Sequence, residues 1–169
     1  KLHKYSFDTK KHQIFEMPEM ITALAERDNE NLLIASHYGI NNYNLEEKKF
    51  NQILRIEEDK PFNRCNDGAA DFAGNFWFGT MQNNIAEDGS DINITKNSGS
   101  LYSIDKNLKV TIHENDISIS NTFAWSPQND KFYFSDTLTG IISVYDYDLE
   151  NKVISNKKQF ATFDRGYPD

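Results

Sequence analysis

Three short apolar runs recur along the chain in the same setting. Leu32-Leu33-Ile34-Ala35, Phe76-Trp77-Phe78-Gly79 and Phe132-Tyr133-Phe134-Ser135 each follow a polar turn, at 27–31, 72–75 and 127–131, and each turn follows a small-residue segment around Ala23, Ala70 or Ala124. Apolar runs of this length bounded by turn residues read as strands, so each unit begins with a β-hairpin. Gly39, Gly99 and Gly140 then open segments of alternating character, Ile40 to Leu45, Ser100 to Ile104 and Ile141 to Tyr147. Alternation is the signature of a half-buried strand, and a fourth strand closes each unit.

Four strands per repeat of roughly 40–50 residues predict propeller blades. The longer interval between Phe78 and Phe134 contains the polar segment 82–98, read as an inserted loop. Residues 2–17 match only the third and fourth strands of a unit. The expected division is a half blade at 1–18, whole blades at 19–60, 61–115 and 116–164, and the start of a further blade at 165–169. About three and a half blades leave sheet faces and edges open, so the expectation is a part of a larger closed propeller.

Composition narrows the picture. Hydrophobic residues make up 38% of the 169, and 12 Phe, 8 Tyr and 2 Trp weight that fraction towards sheet formers. The net charge of −8, with basic residues only in scattered short pairs, argues against a nucleic-acid partner. No apolar run approaches the ~18 residues that a membrane span needs, so no membrane partner is expected. The single cysteine, Cys65, excludes an internal disulfide framework and fits a cytoplasmic location. His3, His12, His37 and His113 show no paired metal-ligand spacing and are expected at the surface or in packing.

Three segments carry chemistry. In NRCNDGAADFAGNFWFGTM, at 63–81, Asn66-Asp67-Gly68 taken alone reads as a turn, because glycine tolerates positive φ and short polar side chains bond nearby amides. Arg64 and Asn66 are donor-rich groups suited to the oxygens of a polyhydroxylated ring. The second segment is Ile119 to Pro127, ISNTFAWSP, and the third is the closing RGYPD at 165–169. Asp136 reads as a turn cap, and the acidic stretch 87–91 lacks the spacing of a calcium loop.

Together these segments resemble the SMP-30/gluconolactonase/luciferin-regenerating-enzyme family. Its R-x-N-D-G-x-x-D-x-x-G-x-x-W/F-x-G-T-M pattern is matched by Arg64, Asn66, Asp67, Gly68, Asp71, Gly74, Gly79, Thr80 and Met81. The resemblance implies a six-bladed β-propeller and a metal-dependent hydrolase opening sugar lactones. By the same resemblance, Arg64 and Asn66 bind substrate, Asn121 and Asp169 are metal ligands, and Asp169 is also the catalytic general base. The implied cofactor is one divalent ion, calcium, magnesium, manganese or zinc, and oxygen donors suit the hard members of that set.

Two departures stand out. Thr122 occupies a position where the family has Gly, which is costly if the backbone there takes positive φ. The family's further Glu ligand has no counterpart, since Glu16-Met17-Pro18-Glu19 lacks the accompanying Trp, and it is expected upstream of Lys1. Residues 1–169 alone are therefore expected to be inactive. The alternatives are a non-enzymatic calcium-binding or protein-interaction propeller, and the same site acting on other esters or phosphotriesters.

Overall fold

Alternation along the middle strands sets the architecture. A computed structural model describes residues 1–169 as fourteen strands and one short 3₁₀ turn at Thr137–Thr139. A two-stranded sheet, β1 (Leu2–Ser6) with β2 (Lys11–Phe15), comes first. Three antiparallel meanders follow. These are β3 (Ile21–Glu26), β4 (Asn31–Ser36), β5 (Gly39–Asn44) and β6 (Lys49–Arg55); β7 (Asn63–Ala70), β8 (Phe76–Gln82), β9 (Gly99–Ile104) and β10 (Val110–Ile117); and β11 (Ser120–Trp125), β12 (Lys131–Asp136), β13 (Ile141–Asp148) and β14 (Val153–Thr162). The expectation of an all-β propeller array with one half blade and three whole ones is met. No helix is long and apolar enough to cross a membrane.

The sheets stack face to face, and period two assigns each side chain to one of two cores. On β8, Phe76 and Phe78 pack towards the preceding sheet against Ala35 and Ile40, in a core that Cys65 of β7 joins, while Trp77 points the other way to Phe132, Phe134, Tyr145 and Tyr147. A strand buried on both faces reads as a largely apolar run, and every residue of FWFGTM is buried. Leu32, Ile34 and Tyr43 face the half blade, where Leu2 and Phe15 complete a third core. The last strand, β14, is exposed along most of its length and carries Lys157 and Lys158, charges that discourage pairing at an open sheet edge.

Two contacts fix how closely neighbouring blades approach. Gly79 abuts Ser120 so tightly that an added methyl would overlap its side chain. Asp71, buried in the β7–β8 hairpin, accepts hydrogen bonds from Trp77 Nε1 at 3.0 Å and from the Tyr147 hydroxyl of the next blade at 2.6 Å. The inner strands β3, β7 and β11 lie side by side along the array, with β7 between the other two.

Candidate functional site

Each inner strand is irregular near its N-terminal end. The register shifts between Ile21 and Ala23 on β3, between Cys65 and Gly68 on β7, and between Asn121 and Ala124 on β11. Bulges release residues from the ladder and re-aim their side chains, so Thr22, then Asn66 and Asp67, then Thr122 and Phe123 are set free at matching points of three blades. Asn66-Asp67-Gly68 is therefore part of a strand, which corrects its reading as a turn. Gly68 is required by proximity: a Cβ there would lie 2.5 Å from the Trp77 carbonyl of β8.

The sequence-predicted polar residues meet in one continuous hydrogen-bonded chain. Arg64 Nη1 donates to Asn66 Oδ1 at 2.9 Å and to the Cys65 carbonyl at 2.9 Å, and Nη2 donates to Asn84 Oδ1 at 2.7 Å. Asn66 Nδ2 donates to Asn121 Oδ1 at 2.9 Å and to the Ser120 carbonyl at 3.0 Å. Asn121 Nδ2 donates to Thr137 Oγ1 at 2.8 Å, whose hydroxyl donates to the Pro168 carbonyl at 2.9 Å. Thr122 Oγ1 donates to the Asp169 backbone oxygen at 3.0 Å. Arg64, Asn66 and Asn121 are thus in direct contact, while Asp169 joins through its backbone, with its residue exposed.

Burial and charge set the electrostatics. Arg64 is only 8% exposed, and burial pulls its guanidinium below the ordinary range. Three of its five N–H groups are engaged, and Nε is buried without any partner, an orphan donor suited to a ligand oxygen. The Asp67 carboxyl is pushed up, first by burial and further by the charge of Asp169. Asp67 and Asp169 lie within electrostatic reach of each other, and carboxylate and amide oxygens are donors of the kind a hard divalent cation takes. No three His, Cys, Asp or Glu side chains cluster anywhere.

The strain anticipated at position 122 is present. Thr122 has φ +60°, a left-handed conformation disfavoured for a β-branched residue, and its hydroxyl is held between Ser135 Oγ at 3.0 Å and the Asp169 oxygen. Asp136 anchors the approach to β11 by accepting from the backbone N–H groups of Ser118 and Ile119, in keeping with its reading as a turn cap. The Cys65 thiol is buried and pushed up to about 12, which makes it inert as a nucleophile. His113 stacks on Trp77 with ring centroids 4.2 Å apart, away from the site.

Three participants escaped the sequence reading: Asp67, Asn84 and Thr137. Asn84 begins the inserted loop, whose far side covers a cleft of about 530 Å³ lined by Lys60, Phe62, Asn63, Gln82, Ile92 and Lys96. A hydroxyl following the apolar run of β12, at the end where Asn121 sits, was the available signal for Thr137.

Comparison with known proteins adds to this geometry. Regucalcin of Xenopus laevis is 30% identical over 171 residues, covering 100% of this chain and 56% of its own length, and human regucalcin is 34% identical over 106 residues. The chain spans about half the length of the relatives it matches. Among solved structures, a luciferin-regenerating enzyme superposes with a TM-score of 0.87 at 29% identity, over 99% of this chain and 56% of that one. A protein from Agrobacterium tumefaciens described as a calcium-binding protein, regucalcin, gives 0.84 at 27% identity, over 98% and 54%. The family model for the SMP-30/Gluconolactonase/LRE-like region matches residues 1–169 throughout, and the chain belongs to that family.

Proposed function

We propose that these residues form the substrate-bearing part of a lactonase that opens sugar lactones such as aldonolactones. The observation that carries this reading is the directed amide chain from Arg64 through Asn66 to Asn121, with Asp67 feeling the charge of Asp169. Family membership supports lactonase-type chemistry, and the Agrobacterium relative's description as calcium-binding supports a cation.

In this reading Arg64 offers its two unengaged N–H groups, Nε and one on Nη2, to ring or hydroxyl oxygens of the substrate. Asn66 is held rigid by three groups, so its amide orients the ring without reorganising. Asn121 and Asp169 would hold the divalent cation, calcium, magnesium, manganese or zinc, with Asp67 nearby to add negative charge. Such an ion polarises an ester carbonyl and lowers the pKa of a bound water. Asp169 would take a proton from the attacking water and return it to the ring oxygen as the lactone C–O bond breaks, a task suited to an exposed carboxylate.

Acid release from a panel of sugar lactones, measured with and without a chelator, tests the proposal. Asp169→Ala should nearly abolish both turnover and cation binding, and Asn66→Ala should mainly raise KM. Full activity after exhaustive metal removal, or wild-type rates in the Asp169 variant, would refute the metal-dependent mechanism, and no acid release from any lactone would leave a non-enzymatic propeller as the better reading.

A further inference from the structure

The hydrogen bonds through the site have one direction only. A guanidinium can only donate, so Asn66 must turn its oxygen towards Arg64 and its NH₂ towards Asn121. At the other end the Pro168 carbonyl can only accept, so the single proton of Thr137 goes to it, and the Thr137 oxygen must accept from Asn121. Asn121 is therefore oriented from both sides, with its NH₂ on Thr137 and its oxygen on the side of Asn66. Thr137 is 8% exposed and leaves the carboxamide little room to exchange this bond for one to water.

We infer that Thr137 is a positioning residue for Asn121: its hydroxyl dictates which end of the carboxamide faces the site, and it joins that choice to the backbone of 168–169. The inference rests on the proposed cation and lactone chemistry for its functional consequence, but the orientation itself does not. Without the hydroxyl, the Asn121 NH₂ and the Pro168 carbonyl lose their partner together. The amide is then held by Asn66 alone and is freer to rotate and present N–H where an oxygen is needed, and the segment bearing Asp169 loses its bond to the turn after β12 while keeping the one from Thr122. Serine keeps the proton and both bonds; valine keeps the shape and loses them.

The test compares Thr137→Val and Thr137→Ser with the wild type, with Thr137→Ala as a second hydroxyl-free variant should valine not fold. Two quantities are read: hydrogen exchange of the Asn121 side-chain NH₂ by NMR, and affinity for calcium ion alone by calorimetry. Expected are loss of NH₂ protection and an about tenfold weaker calcium affinity in the valine variant, both restored to within about twofold by serine. In lactone hydrolysis, kcat should fall more than KM rises, because orientation of a ligand oxygen matters most as charge develops. Unchanged protection in Thr137→Val, or a serine variant as impaired as the valine one, overturns the inference. These measurements use the full-length protein; if its wild type neither binds calcium nor opens lactones, the proposed function fails, and the exchange measurement still decides the role of Thr137.

Discussion

Replacing Asp71 by alanine should be among the most damaging single changes in the chain. Its carboxylate is 5% exposed and accepts five hydrogen bonds, from the backbone N–H groups of Ala73 and Asn75, from Asn75 Nδ2, from Trp77 Nε1 and from the Tyr147 hydroxyl. Two of the donors, on Trp77 and Tyr147, lie in the core between the second and third whole blades and have no water to turn to. Each buried orphan costs about 1–3 kcal/mol, and with the side-chain amide of Asn75 as a third the loss is about 4 kcal/mol. That is a large share of the ~5–15 kcal/mol by which a domain is stable. Tyr147→Phe removes only the bond between blades and should cost about 1–2 kcal/mol.

Urea unfolding followed by far-UV circular dichroism on the two single variants and the double variant gives the coupling directly. If Asp71 latches the blades through Tyr147, the two changes are less than additive by about 1 kcal/mol. The phenol offers a second readout. Burial, then the bond to Asp71, raises Tyr147 above the ordinary tyrosine range, and Asp71→Ala should lower it in a spectrophotometric titration. A loss below about 1 kcal/mol in Asp71→Ala, or strict additivity with Tyr147→Phe, would refute the latch.

Gly79→Ala should cost about 2 kcal/mol, read as a lower urea midpoint, because the new methyl would overlap Ser120 and force β8 away from β11. His113 is held down to about 4 by burial against Trp77, so the folded protein binds its proton less readily than the unfolded chain. Its contribution to stability is complete above 6.5 and is lost as pH falls from 6.5 towards 4; His113→Gln should flatten the melting temperature across that window, and an unchanged slope would count against it.

Much of the fold was legible because its signals are local. Phe76 to Met81 is apolar on both faces because sheets cover both faces, and the run recurs at Leu32 and Phe132 with glycine at the start of the third strand, so pattern alone locates the blades. The fourth strands gave weaker signals: β10 and β14 are bulged and largely exposed, and alternation fades there. In the site, Arg64, Asn66 and Asn121 were found through their motifs, and the structure puts them in contact. Their supports were not found, for a physical reason. Asn84 and Thr137 look like ordinary polar loop residues until the register of the β7–β8 and β11–β12 hairpins brings them to Arg64 and Asn121. Asn66-Asp67-Gly68 resembled a turn because a bulge and a turn draw on the same residue types, and only the approach of β8 reveals that Gly68 is there for space.

The meander order of the strands has a kinetic consequence. Within every sheet each strand pairs with its neighbour in sequence, so each blade can zip up from local hairpins in the manner of low-contact-order segments. The bond from Asn66 to Asn121 spans 55 residues and forms only when one finished blade docks on the next. The Asn66–Asn121 geometry is thus the last thing such a chain acquires and the first it loses when two blades part, while the circular dichroism of its sheets hardly changes. A ligand bound across Asn66 and Asn121 would act as a clasp on that docking step, drawing part of its affinity from the assembly it completes.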